Sequence, residues 1–178
     1  VSELRRDPVL GRWVIMAPER GMRPERIALP KEEVQPGPCV FCGGQEALDP
    51  HEITAIRLPG TAPNTPGWLV RVLPNKFPAL RIEGDLVREG VGMYDMMSGI
   101  GAHEVIVETP QHGVQLSDLP EPHIANVLRM YRERMTDLAG DDRFKYVMIF
   151  KNQGYLAGAT LSHAHSQLIA TPVTPKRV

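Results

Sequence analysis

Two of the chain's six histidines stand one residue apart in the stretch Ala159-Thr-Leu-Ser-His-Ala-His-Ser-Gln-Leu-Ile-Ala-Thr-Pro172. Neutral imidazole is both a metal ligand and a nucleophile near pH 7, so His163 and His165 offer two kinds of chemistry at one place. The Ser162 hydroxyl and the Gln167 amide flank them. The only two cysteines form Pro38-Cys-Val-Phe-Cys-Gly-Gly44. A two-residue gap lets both sulfurs converge on one ion or form a redox pair. A redox pair would open a helix, but Pro36 and Pro38 precede this one and two glycines follow, which favours a looped metal knuckle. Two sulfurs are half of a tetrahedral site. With no third cysteine, the remaining ligands must be histidine or carboxylate.

These residues need elements to position them. Arg12-Trp-Val-Ile-Met-Ala17 reads as a short strand followed by a loop rich in arginine and turn formers. Residues 25–67 read as proline-punctuated loop around the knuckle. Trp68 to Leu73 is a second strand candidate, ending at Pro74-Asn75, and after a glycine-containing stretch at 84–101 the short alternation and β-branched residues of His103 to Glu108 indicate another. One clear helix is expected near 121–139: Ile124, Val127, Leu128, Tyr131, Met135 and Leu138 recur every three or four residues as an apolar stripe. Arg129, Arg132, Glu133 and Arg134 should stay wet, Pro120 and Pro122 fit only its first turn, and Gly140 ends it. His123 reads as a surface residue. Phe144 to Phe150 and residues 163–170 complete a strand-dominated α+β chain. On an extended 163–170 segment, His163, His165, Gln167 and Ile169 share one face, opposite Ala164, Ser166, Leu168 and Ala170. The bland alternative is an exposed polar strand. The upstream Asn152-Gln-Gly154 and Gly158-Ala-Thr160 argue against it, because small residues admit a ligand and the polar ones supply donors.

Composition bounds the partners. A length of 178 residues with 42% hydrophobic content supports one buried core, and 20 basic against 21 acidic residues give a net charge of −1. That balance provides no electrostatic grip on nucleic acid or on an anionic membrane. No run approaches the length of a membrane span and no secretory signal pattern opens the sequence, so a soluble, cytoplasmic protein is expected. The start at Val1 and the stop in Thr171-Pro-Val-Thr-Pro175 are what one part of a longer protein would show.

The motifs together resemble the N-terminal half of the galactose-1-phosphate uridylyltransferase family, within the histidine-triad superfamily that also holds the ADP-glucose phosphorylases. The resemblance rests on Leu4-Arg-Arg-Asp-Pro8 with Arg12-Trp-Val-Ile15, Ala17-Pro-Glu-Arg20 with Arg23-Pro24, Cys39-Val-Phe-Cys42 and Pro74-Asn-Lys-Phe-Pro78. It continues through Glu108-Thr-Pro-Gln-His112, Phe150-Lys-Asn-Gln-Gly154 and Ser162-His-Ala-His-Ser-Gln167, in family order across nearly the whole chain. It implies a histidine-triad-like fold, mainly antiparallel sheet packed with one long helix, in one domain over residues 1–178 of a two-domain enzyme. By the same resemblance His165 attacks the α-phosphorus of a nucleotide sugar, releasing a sugar 1-phosphate, and a second sugar 1-phosphate takes the nucleotide from the histidine. The His165 ring should be oriented by an acceptor such as a backbone carbonyl.

Cys39, Cys42, His112 and His163 would then hold one structural zinc, with His103 and, more weakly, His51 as rivals to His112. Gln167 and Thr160 match α-phosphate contacts, Asn75 and Asn152 match nucleoside and phosphate contacts, Arg23 matches a basic contact to the nucleotide, and Val40 and Phe41 could wall the base. Turn formation is the competing role for Asn152, and a solvated loop charge for Arg23. A homodimer is implied, with a second, related half helping to bind the sugar phosphate. The sequence departs from the uridylyltransferases at Ala164, where they carry proline, and at Lys76, where they carry an acid able to accept from ribose hydroxyls. Both the Ser-His-x-His-Ser-Gln form and the Phe-Lys-Asn-Gln-Gly segment look closer to the ADP-glucose phosphorylases. Three readings follow: a hexose-1-phosphate uridylyltransferase; an adenylyl-transferring phosphorylase or hydrolase with the same nucleophile; and an inactive zinc-stabilised nucleotide-binding module.

Overall fold

Short alternating segments build nine strands and one α-helix in a computed structural model that describes residues 2–22, 38–159 and 161–176. The strands are β1 (Glu3–Arg6), β2 (Trp13–Met16), β3 (Thr54–Arg57), β4 (Trp68–Pro74), β5 (Arg88–Val91), β6 (Tyr94–Ser98), β7 (Ala102–Val107), β8 (Tyr146–Phe150) and β9 (His165–Thr171), and the helix is α1 (Glu121–Ala139). They form a four-stranded sheet in the order β2-β1-β6-β5 and a five-stranded sheet in the order β3-β4-β7-β9-β8. Every pairing between these strands is antiparallel, as expected for the α+β class. No helix among the described residues is long and apolar enough to cross a membrane.

Four strands were hidden from pattern reading. In β5 every residue is exposed, so no apolar alternation marks it, and the hairpin to β6 turns at Gly92-Met93 with Gly92 at φ +61°. Edge strand β3 lies inside the proline-punctuated region and is only half-buried. Strand β1 buries Leu4 alone.

The helix spans the expected residues, but its buried stripe is rotated from the expected one. Val127, Met130 and Leu138 are buried, whereas Leu128 and Met135 are 56% and 40% exposed. The surprise is Arg134, expected to be wet yet 8% exposed. Its guanidinium forks onto Glu104 of β7 with Nε and Nη2 bonds of 2.9 and 2.8 Å, so the sheet supplies the carboxylate that lets a charge enter the interface. Pro120 caps the helix start, and the Gly140 N–H closes its end on the Asp137 and Leu138 carbonyls.

The five-stranded sheet therefore has two different faces. Val70, Val72, Ile106, Leu168 and Ala170 pack against Val127, Met130, Leu138 and Phe144 in the main core. Each such fully buried apolar side chain contributes about 1.5–3 kcal/mol, which makes helix docking a matter of packing rather than helix propensity. The other face carries Trp68, Leu73, Val105 and Val107 beneath Phe41 of the knuckle. Strand β9 divides its residues between them: Ser166, Leu168 and Ala170 face the helix side, while His165, Gln167 and Ile169 face the knuckle side.

Candidate functional site

The knuckle is fixed before any ion is considered. The Cys42 N–H bonds the Cys39 carbonyl at 3.0 Å, and the Gly43 N–H bonds the Pro110 carbonyl at 3.0 Å. A Cβ on Gly43 would meet the Pro110 side chain at 3.1 Å, so this close approach favours glycine. Glu46 locks the loop to β4, taking the Gly44 N–H on its carboxylate and the Trp68 indole N–H at 2.7 Å.

Strand β9 begins at His165, so His163 precedes the strand rather than lying within it as expected. The chain turned at this point lets the two rings do different things. The His163 Nε2–H donates to the Thr109 carbonyl at 2.7 Å, which assigns the lone pair to Nδ1. That Nδ1 lies 3.6 Å from Cys39 Sγ and 3.8 Å from Cys42 Sγ. His112 Nδ1 lies 3.6 Å from Cys42 Sγ, while its Nε2 meets the Ser162 hydroxyl at 3.3 Å. All four ligand atoms fall within 4.8 Å of one another. The cluster can hold a metal ion, and it selects His112 over the rivals His103 and His51, neither of which joins it. Burial pulls the His163 pKa down, with His112 and His165 adding to the effect, which keeps the ring neutral as a ligand must be. Burial and then the neighbouring Cys39 push the Cys42 thiol up, so two adjacent thiolates require a cation between them.

The His165 ring has a different anchor. Its Nδ1–H donates to the His163 carbonyl at 2.8 Å, the backbone acceptor that chemistry demanded and sequence could not locate. The lone pair is therefore assigned to Nε2. Phe41 packs beside this ring with centroids 5.4 Å apart and edge-on to His163 at 6.1 Å.

Two residues along β9, the orientation of the Gln167 amide follows from its surroundings. The Phe77 N–H donates to Asn75 Oδ1 at 2.9 Å, so Asn75 presents Nδ2 to Gln167 Oε1 at 3.3 Å. The Ala79 N–H donates to His103 Nδ1 at 3.0 Å, so His103 carries its proton on Nε2 and donates to the same Gln167 oxygen at 3.0 Å. Asn75 Nδ2 and His103 Nε2, 3.1 Å apart, are thus two donors side by side on one acceptor. Gln167 consequently turns its amide nitrogen away from them as a donor for something else. Arg20 borders this network, with Nη1 donating to the Phe77 carbonyl at 3.0 Å.

Behind β9 lies a second network that pattern reading missed. Glu108 is fully buried, and its carboxylate accepts Ser166 at 2.5 Å, Tyr131 at 3.2 Å and Lys151 at 2.7 Å. Lys151 also donates to the His165 carbonyl at 3.2 Å, tying this charge pair to the histidine's own backbone. Burial pushes the Tyr131 phenol up to about 12, so it remains a donor. A visible signal existed: alternation along His103-Glu-Val-Ile-Val-Glu108 points Glu104 and Glu108 at the helix, and acids facing a core need cations. His123 is likewise no mere surface residue, since its Nε2–H bonds the Glu108 carbonyl at 2.7 Å.

Of the other expected contacts, Val40 is half-buried against the Phe41 cluster. Asn152 is half-buried just past β8, where the register that pairs Phe150 with Gln167 would, if continued, set it opposite His165. Arg23 and Thr160 lie outside the described residues.

A family model described as galactose-1-phosphate uridyl transferase, N-terminal domain, matches residues 1–175. The chain is 39% identical over 181 residues to ADP-glucose phosphorylase of Arabidopsis thaliana, covering 99% of this chain and 50% of that protein. It is 29% identical over 182 residues to galactose-1-phosphate uridylyltransferase of Thermotoga maritima, covering 100% of this chain and 49% of that one. A crystal structure of the Arabidopsis thaliana ADP-glucose phosphorylase with bound ADP-glucose superposes with a TM-score of 0.63 at 36% identity, over 98% of this chain and 50% of the other. The chain thus spans about half the length of the relatives it matches.

Proposed function

The chain belongs to the galactose-1-phosphate uridylyltransferase family, and on that premise we propose that it is the nucleotidyl-transferring domain of a UDP-glucose:hexose-1-phosphate uridylyltransferase working through a nucleotidyl-histidine at His165. The observation that carries the proposal is the His165 ring, held through Nδ1 by the His163 carbonyl at 2.8 Å, so that Nε2 is the nucleophilic nitrogen. It shares a sheet face with the outward-turned Gln167 amide.

In the first half-reaction Nε2 forms a bond to the α-phosphorus while the bond from that phosphorus to the bridging oxygen breaks, and sugar 1-phosphate leaves with the electron pair. The Nδ1–H stays on the His163 carbonyl and steadies the positive charge that the ring acquires. Gln167 donates its amide N–H to a nonbridging oxygen as charge develops there. In the second half-reaction a phosphate oxygen of the incoming sugar 1-phosphate attacks the same phosphorus and the N–P bond breaks, restoring the neutral ring. Asn75, Asn152, Arg23 and Thr160 are assigned to the nucleotide and its phosphates, and Val40 and Phe41 to the apolar wall beside them. The functional enzyme is taken to be a homodimer of a longer, two-domain chain.

Zinc suits the Cys39, Cys42, His112 and His163 set. Nitrogen and sulfur ligands at their usual zinc distances and tetrahedral angles sit about 3.6 Å apart, and three nitrogen–sulfur pairs of the cluster are 3.6, 3.6 and 3.8 Å apart. Four protein ligands leave no open position, so the ion's role is to pin the start of β9 to the knuckle and thereby hold the carbonyl that orients His165.

A second reading is favoured by the 39% identity to the Arabidopsis thaliana ADP-glucose phosphorylase. It keeps His165 and Gln167 but transfers adenylate to inorganic phosphate. Incubating the full-length protein with labelled UDP-glucose and ADP-glucose, then quenching in alkali for mass analysis, separates the two. Uridylate on His165 supports the first reading and adenylate the second, while no adduct from either overturns both.

A further inference from the structure

We propose that His103 is a positioning residue for the transfer: its Nε2–H, fixed by the Ala79 amide at its other nitrogen, holds the Gln167 carbonyl oxygen so that the Gln167 amide nitrogen faces the reacting phosphate. The inference rests on the His165 reading above and adds a residue that this reading leaves without a task. His103 is 7% exposed in the middle of the site face, at β7, with its Cα paired to Ile169 of β9. It is absent from the metal cluster.

An amide whose two ends look alike in shape can sit either way round, and only one way delivers N–H donors to a phosphate. Every bond in the chain Ala79 N–H to His103 Nδ1 (3.0 Å), His103 Nε2–H to Gln167 Oε1 (3.0 Å), has its donor determined by the bond before it. The backbone amide of Ala79 cannot accept, so the imidazole cannot adopt the other neutral tautomer without setting N–H against N–H. A flipped Gln167 would in turn bring its NH₂ against two donors, His103 Nε2–H and Asn75 Nδ2. The rigid backbone thus sets the polarity of a side chain two hydrogen bonds away. Asn75 contributes to the same oxygen at 3.3 Å, the longer of the two bonds, and its carboxamide is itself fixed by Phe77 N–H. Among the described residues the Gln167 amide nitrogen has no protein partner, as expected of a group reserved for a ligand.

A purely structural role for His103, pinning the 75–79 segment through Ala79, makes different predictions for two conservative variants. Asparagine can present an acceptor where Nδ1 stood but has nothing to reach Gln167. Glutamine can place an N–H where Nε2 stood. In the full-length protein, His103→Asn should slow single-turnover nucleotidylation of His165 at saturating nucleotide sugar about tenfold or more, because the donor is no longer preorganised. Nucleotide-sugar affinity should stay within about threefold of wild type, since the lost contact belongs to the transition state. His103→Gln should recover most of the rate. Nitrogen-detected NMR of the unmodified protein should also find the His103 proton on Nε2, a readout that needs no variant to fold. A wild-type rate in His103→Asn, equal damage in both folded variants, or the Nδ1–H tautomer would overturn the inference while leaving the His165 reading in place. Absence of any adduct in the wild type would remove both.

Discussion

Replacing Lys151 with methionine tests whether the charge pair behind β9 supports the nucleophile's strand. Glu108 is 0% exposed and Lys151 22%. Methionine keeps the stem's packing but removes the ammonium, leaving Glu108 Oε2 without the 2.7 Å bond it has now and the His165 carbonyl without its 3.2 Å bond. Removing one member of a buried pair costs about 3–5 kcal/mol because the other charge is stranded. Here Ser166 and Tyr131 still bond the other carboxylate oxygen, and the lysine is partly solvated, so the lower end of that range, about 3 kcal/mol, is expected. Glu108→Gln should cost less, since the stranded lysine can turn to water and the amide oxygen still accepts from the hydroxyls. The double variant should then be more stable than the sum of the single effects predicts, with a coupling of about 1.5–3 kcal/mol. Urea unfolding of the four proteins, compared through midpoints and slopes, measures it. A Lys151→Met cost under about 1 kcal/mol, together with coupling indistinguishable from zero, would refute the reasoning.

Further outcomes are expected at the metal cluster and at Asp49. Protein purified without chelator should hold about one zinc per chain. His112→Ala and His163→Ala should lower that content and His165→Ala should not, as metal analysis of the three variants will show; loss in His165→Ala would exchange the two histidine roles. Chelation should also lower the thermal midpoint, because only the folded chain assembles the ligands. Burial pushes the Asp49 pKa up to about 6, against weaker opposing pulls from Arg71 and Lys76. The Arg71 guanidinium is 4.0 Å away, too far for a good hydrogen bond, and so fails to offset desolvation. A folded pKa above the unfolded one means that this group stabilises the fold below about pH 4 and loses that contribution as pH rises through about 6. The urea midpoint of the wild type, referred to Asp49→Asn, should therefore rise on acidification from pH 7 to 4, and a flat difference would contradict the assignment.

Much of the fold was legible because the forces that set single elements act over a few residues. Helix α1 was delimited by its prolines and Gly140, β7 was marked by alternation and β-branched residues, and β4 and β9 were expected close to where they lie. What failed was sidedness and edges. The rotated stripe of α1 buries Arg134 because Glu104 awaits it on another element, and β5 is held by pairing to β6 with no buried residue to mark it. Neither fact is local to the segment concerned.

The site divides along the same line. The residue types of Cys39-x-x-Cys42 and His163-x-His165 sufficed to propose metal and nucleophile, because that chemistry belongs to the side chains themselves. Which histidine completes the cluster was settled by a fold that brings Cys39 within 3.6 Å of His163 across 124 residues of chain, and His112 within 3.6 Å of Cys42. Only the tertiary structure could supply the His163 carbonyl for His165, the Ala79 amide for His103 and Lys151 for Glu108. A tautomer or a buried charge is fixed by what faces it in space: a turn brings the His163 carbonyl back onto His165, while Ala79 and Lys151 reach His103 and Glu108 from 24 and 43 residues away.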